Sequence, residues 1–249
     1  MASQVSHAAD ARLEPTFRVL LADDSPESQA LVRCYLQAPL YHVEVVGNGE
    51  EAAALFQSKP FDLVLIDQQM PVMDGFAATR LIRTWESSHQ HTPATILALT
   101  ADASLEAQEQ GQAAGCTGFL AKPISKERLF DALRTHCAPS PRRRITAQDN
   151  PSAGIAALID EEVARRRPLF LDNRRQDVDR MQDAIERGDY ETIRSMGHRI
   201  KGLAGSYGFP DIGQAGAQLE QAGKDHDRAL IRRTIDQLAA ILARAKQAV

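Results

Sequence analysis

Apolar and polar positions along the chain fall into two regimes. From Phe17 to His136, short apolar runs take turns with longer segments whose apolar residues recur every three or four positions. The runs are FRVLLA, HVEVV, FDLVLI, ATILALT and TGFLA, and the spacing predicts helices over Pro26–Gln37, Gly49–Gln57, Phe76–Glu86, Ser104–Ala114 and Ser125–His136. Strand and helix taking turns five times predict a parallel sheet covered by helices on both faces. Residues 138–154, APSPRRRITAQDNPSAG, break the pattern with three prolines and a basic triplet, and read as a linker. Beyond them only helical spacing remains. It predicts helices over Ile155–Arg165, Pro168–Arg187, Tyr190–Ser206, Pro210–Ala222 and Asp227–Lys246, with Pro168 and Pro210 in first turns and Gly188 at a helix stop. The expected organisation is a disordered tail over 1–16, an α/β domain over 17–137, the linker, and an all-α antiparallel bundle over 155–249.

Composition narrows the function classes. The 249 residues suffice for two small domains, and 43% hydrophobic with 25% charged residues is ordinary for a globular protein. A net charge of -4 argues against general nucleic-acid binding, so the expected partners are proteins. Cys34, Cys116 and Cys137 have no metal-type spacing and suggest a reducing compartment rather than a disulfide framework. The first sixteen residues lack the basic start and apolar stretch of a secretory signal. No apolar run approaches the roughly 18 residues of a membrane span, and the expectation is a cytoplasmic protein without membrane insertion.

In a doubly wound sheet the ligand site lies at the carboxyl ends of the strands. Asp23 and Asp24 follow the first run, Asp67 the third, Thr100 ends the fourth, and Lys122-Pro123 follows the fifth. Any one of these is more often a turn or cap residue; five of them on four strand ends of one series is a site. Clustered carboxylates repel unless a hard cation such as Mg2+ lies between them. A lysine and a threonine then add the ammonium and hydroxyl that phosphoryl oxygens require.

The segments LLADDSPESQALV, LVLIDQQMPVMDGF, ILALTADA and GFLAKPIS carry a family likeness: residues 17–137 resemble a response-regulator receiver domain. The resemblance implies a flavodoxin-like, doubly wound, five-stranded parallel sheet. It also implies that Asp67 is the phosphoacceptor and that Asp24, Asp67 and the backbone carbonyl of Gln69 hold Mg2+, with Asp23 assisting through water. Lys122 would bind the phosphoryl oxygens and Thr100 would follow the phosphorylated state. Phe119 matches the aromatic switch position, with packing in the core as the alternative. Met70-Pro71 and Asp74-Gly75 read as the turn that holds Asp67 in place. Gln68 stands where the family more often has an apolar residue, a departure expected to leave the chemistry untouched. The Gln69-Met70-Pro71 wording resembles receivers attached to hybrid sensor kinases.

Of seven histidines, His198 is set apart by geometry. At about 100° per residue, Ile193, Met196, Ile200, Leu203 and Tyr207 share one stripe and His198 falls nearly opposite, which predicts an imidazole facing solvent. Arg194, Lys201, Gly202 and Gly205 share its face. Glycine inside a helix costs on the order of 1 kcal/mol relative to alanine, and close approach by another protein would account for two of them. A neutral imidazole is a competent nucleophile, and Lys201 one turn on could steady a phosphoryl group. A nucleotide-cradling loop at Gly202, Gly205 and Gly208 would need a preceding strand that is not predicted. MGHRIKGLAGSYGF and AGAQLE make residues 155–247 resemble a histidine phosphotransfer domain. That likeness implies His198 as a second phosphoryl carrier, with Gln214 and Gln218 as candidate neighbours.

The two resemblances together imply a two-component phosphorelay intermediate. With no candidate kinase ATP lid, the chain is expected to be no kinase; its receiver promotes transfer onto its own aspartate. Its partners would be a sensor histidine kinase, hybrid or not, and a downstream receiver. A 17-residue linker spans roughly 20–25 Å, enough for Asp67 to meet His198 in the same chain. Two alternatives stand beside this. One is a phosphorylation-switched binding module whose His198 is unused. The other is the detached C-terminal portion of a hybrid sensor kinase, against which Met1 and the polar tail weigh.

Overall fold

The structure, a computed structural model, describes residues 17–36, 41–101, 104–137 and 153–247; the expected tail and nearly all of the expected linker lie outside them. The first domain alternates β1 (Phe17–Ala22), α1 (Pro26–Tyr35), β2 (Tyr41–Val46), α2 (Gly49–Ser58), β3 (Leu63–Asp67), α3 (Gly75–Ser88), β4 (Thr95–Thr100), α4 (Leu105–Ala114), β5 (Gly118–Ala121) and α5 (Lys126–His136). All strand pairings are parallel, in the order β2-β1-β3-β4-β5. The central strands are apolar without alternation because both faces are covered: every residue of β3 is buried, whereas edge strand β2 is mostly half-exposed. Ser25, Asn48, Asp74, Ser104 and Ser125 cap helices α1 to α5 in turn, each accepting a backbone N–H three residues on. Chain order reverses between β1 and β3, where Ala22 lies opposite Ile66, so the residues that follow these two strands meet.

The second domain consists of α6 (Ala153–Arg187), α7 (Tyr190–Ala204) with a closing 3-10 turn (Gly205–Tyr207), α8 (Pro210–Lys224) and α9 (Arg228–Gln247). One expectation is corrected here. Ile155–Arg165 and Pro168–Arg187 are not two helices but one, with Pro168 in its interior. Proline removes one intrahelical hydrogen bond. The helix nevertheless continues, because Val163 before it and Phe170 and Leu171 after it are all buried in the same core. Pro210 does open α8, and Gly188 ends α6 with a φ of 70°.

Helices α7 and α8 run antiparallel at very close range. A Cβ on Gly216 would come within 2.6 Å of the Lys201 backbone nitrogen, one on Gly223 within 2.9 Å of that of Arg194, and one on Gly213 within 3.6 Å of the Ala204 Cβ. The predicted stripe of Ile193, Met196, Ile200, Leu203 and Tyr207 is buried throughout. The bundle core and part of the first domain's core form one buried cluster, with α1 and α6 in contact across the boundary. Alanine at position 216 tests this contact. Although alanine is the better helix former, Gly216→Ala is expected to destabilise the bundle by about 1–3 kcal/mol, read as a lower melting temperature. An unchanged or raised temperature would contradict the close packing.

Candidate functional site

The acidic residues predicted from strand ends converge. Asp23 is fully buried and held by the start of α1, accepting from the Ser25 backbone N–H at 2.9 Å and from the Ser28 hydroxyl at 2.6 Å. Asp67, 3% exposed, ends β3. The buried ammonium of Lys122 donates to both, at 3.0 Å to Asp23 Oδ2 and 2.7 Å to Asp67 Oδ2. Carboxylate oxygens of Asp23, Asp24 and Asp67 lie within 4.8 Å of one another. Burial pushes the Asp67 carboxyl up to about 6, against the opposing charge of Lys122, and repulsion from Asp23 adds to the rise. Burial, then Asp23, also raises the Asp24 carboxyl. Desolvation works against the Lys122 ammonium, but the two carboxylates outweigh it and hold its pKa above the ordinary lysine range.

The turn after Asp67 behaves as the sequence suggested. Asp74 caps α3 through the Ala77 N–H at 2.7 Å, and the Gly75 N–H donates to the Gln68 carbonyl at 3.1 Å. A Cβ on Gly75 would collide with the Asp67 carbonyl, so only glycine lets the turn close beneath the aspartate. Gln68 does more than expected: its side-chain carbonyl accepts from the Thr100 hydroxyl at 2.9 Å. Phe119 packs inward, its ring occupying the space left open by Gly111 beside Phe76.

His198 departs from expectation in one respect. It lies opposite the core stripe, yet it is 8% exposed rather than solvated, because that face of α7 is pressed against the first domain. A Cβ on Gly202 would meet the Lys122 side chain at 3.2 Å, and one on Gly205 would meet Pro123 at 2.6 Å. The close approach that the two glycines called for is made by this chain's own α/β domain. It brings the imidazole near enough to Asp67 to act on its carboxyl electrostatically.

Glu220 was not singled out by sequence reasoning. It is buried on α8, where Oε1 lies 3.2 Å from His198 Nδ1 and Oε2 accepts from Lys201 Nζ at 3.2 Å. Lys224 adds an ion pair at 3.3 Å. Burial opposes its ionisation, but the hydrogen bond and charge of His198, together with the Lys201 ammonium, lower its pKa to about 2. Gln214 and Gln218, the neighbours considered instead, are exposed. The available signal was register: Glu220 follows Ile212 and Gly216 at four-residue steps, on the face turned to α7. With Glu220 accepting from Nδ1, the neutral imidazole carries its proton there and leaves the Nε2 lone pair free. His198 Nε2 is buried and has no hydrogen-bond partner.

The chain is similar to known proteins in both of its halves. The response regulator receiver domain family matches residues 19–134 and the Hpt domain family residues 167–248. The sensor histidine kinase GacS of Pseudomonas protegens is 29% identical over 225 residues, covering 84% of this chain and 24% of that protein. BarA of Escherichia coli K12 is 29% identical over 218 residues, covering 82% and 23%. The chain thus spans about a quarter of the length of these relatives. Among solved structures, the receiver domain of sensor histidine kinase PA1611 from Pseudomonas aeruginosa, with magnesium in its active-site cleft, is 32% identical with a TM-score of 0.44, covering 49% of this chain and 97% of that one. A co-crystal of Saccharomyces cerevisiae Ypd1 with the receiver domain of Ssk1 matches at 27% identity and a TM-score of 0.47, covering 49% and 90%. The chain is a receiver domain followed by an Hpt domain. It is a two-component phosphorelay protein, similar in its domain order to the C-terminal part of hybrid sensor kinases.

The Glu220 network has a pH signature. Because its folded pKa lies below the ordinary 4.5, the stabilisation it provides is complete above about pH 4.5 and is lost as pH falls toward 2. Glu220→Gln is therefore expected to lower the melting temperature at pH 7, with the gap to wild type closing between about pH 4.5 and pH 2.5. In nitrogen NMR spectra at alkaline pH, wild-type His198 is expected as the Nδ1–H tautomer, and Glu220→Ala as predominantly Nε2–H. A gap that does not close, or the same tautomer in both proteins, would count against the assignment.

Proposed function

We propose that Asp67 and His198 exchange a phosphoryl group within this chain, making it a two-step relay rather than two independent carriers. The observation that carries this reading is the buried, unpartnered Nε2 of His198, placed over a face whose glycines admit Lys122 and Pro123 beside Asp67. In the step, the Nε2 lone pair attacks phosphorus of the Asp67 acyl phosphate. The bond from phosphorus to the carboxylate oxygen breaks, and its electron pair returns to Asp67 as carboxylate. Glu220, accepting from Nδ1–H, steadies the positive charge that develops on the imidazole, and the reverse step returns the group.

Lys122 neutralises the phosphoryl oxygens and Thr100 supplies a hydroxyl once it leaves Gln68. The donor set also fits a divalent ion: Asp23, Asp24 and Asp67 offer hard oxygens in one small volume, and Asp24 and Asp67 have carboxyls that burial raises and a cation would relieve. Asp24, Asp67 and the Gln69 carbonyl would hold Mg2+ directly and Asp23 through water. Bound there, the ion would offset the negative charge of the transferring group. A partner sensor kinase supplies the phosphoryl group and a downstream receiver accepts it, both acting in the cytoplasm. Among the described residues no helix is long and apolar enough to cross a membrane.

Acyl phosphates and phosphohistidine differ in stability, and this gives the test. With a phosphorylated kinase as donor, wild type is expected to acquire both alkali-labile label and alkali-stable, acid-labile label, His198→Gln only the alkali-labile label, and Asp67→Ala neither. Alkali-stable label on Asp67→Ala at the wild-type rate would sink the obligatory order.

A further inference from the structure

The boundary between the two domains holds one contact that reads side-chain identity. Glu27 stands in the first turn of α1, three residues past Asp24. Across the boundary, Arg174 of α6 donates from Nη1 to Glu27 Oε2 at 2.9 Å and from Nε to Asp177 Oδ2 at 2.8 Å, while Asn173 Nδ2 donates to Glu27 Oε1 at 2.7 Å. The guanidinium lies 5.0 Å from the centroid of the Phe170 ring. Arg174 and Asp177 are only 7% and 6% exposed. The neighbouring contacts are of another kind. Tyr207 Oη donates to the Glu27 carbonyl at 3.4 Å and Ser206 Oγ to the Ile124 carbonyl at 3.1 Å, and any receiver backbone could satisfy them.

The difference is energetic as well as geometric. A buried guanidinium facing a neutral or basic residue keeps its desolvation cost and loses the compensating charge, so a mismatch here is far more costly than at a solvated rim. We propose that the Glu27–Arg174 pair, supported by Asn173 and Asp177, is the specificity determinant that matches this receiver to this bundle. It rests on the reading of Asp67 and His198 as an exchange pair and names what selects the partner of the His198 face. An outside receiver that uses the same face must displace the resident one, and an acidic residue at the position of Glu27 is what would let it compete.

Charge reversal in the full chain tests this. The protein is labelled on Asp67 with acetyl phosphate, freed of donor, and followed for conversion of alkali-labile into alkali-stable label on His198. Glu27→Arg and Arg174→Glu are each expected to slow conversion by about tenfold or more, and the double variant to recover part of that loss, the remainder reflecting the Asp177 partner that a glutamate at 174 cannot keep. Recovery cannot come from a damaged bundle, which separates matching from mere folding. If Arg174→Glu does not fold, Glu27→Arg and the milder Glu27→Gln carry the test alone. Wild-type rates in the folded single variants, or a double variant no faster than the slower single, would overturn the proposal. Absence of alkali-stable label in wild type itself would instead overturn the exchange reading on which it rests.

Discussion

A single buried ammonium organises this molecule. Lys122 enters from the end of β5 and bridges carboxylates that follow β1 and β3, drawing three strands of the sheet to one point. Without it, Asp23 and Asp67 would be like charges facing each other in a buried site. Its neutralising role is incomplete, since burial still holds the Asp67 carboxyl up near 6. The receiver thus concentrates unfavourable electrostatics at the Asp67 carboxyl, relieved by whatever positive charge next arrives. The same lysine side chain forms part of the surface on which Gly202 of α7 rests, so the charge beside Asp67 and the docking geometry are one feature.

The second domain answers with a polar group made from two helices. His198 and Glu220 meet because α7 and α8 approach at glycine distance, and that approach depends on Gly197, Gly216 and Gly223. The glycines of α7 and its closing turn divide their work by face: Gly197 admits α8, whereas Gly202 and Gly205 admit the receiver. A helix bare on two sides has low intrinsic stability. It is held by the buried stripe from Ile193 to Tyr207, whose rings and branched chains fill the bundle.

The receiver was almost fully legible in the sequence, because a parallel sheet repeats one local signal five times and its chemistry sits at the ends of the same segments. Asp23, Asp67 and Lys122 could be found without knowing where any strand lies in space. The bundle was less legible. Pro168 reads locally as a helix start, but burial of Val163 and Phe170 on either side carries one helix through it. Glu220 closes the AGAQLE segment, and its four-residue register marks the face it shares with Ile212 and Gly216 but not its partner, 22 residues away on another helix. The burial of His198 was legible least of all. A helical wheel separates core from exterior, but it cannot tell solvent from a second domain.

The cover that α7 places over Asp67 bears on time as well as on chemistry. An aspartyl phosphate is a reactive anhydride whose usual fate is attack by water. Here a buried imidazole nitrogen without a hydrogen-bond partner lies on the face that Gly202 and Gly205 press against Lys122 and Pro123, and Asp67 itself is almost wholly covered. On the proposed exchange, the docked chain would favour passing the phosphoryl group on over losing it to water, so the packing of α7 on the receiver would also set how long the signal persists.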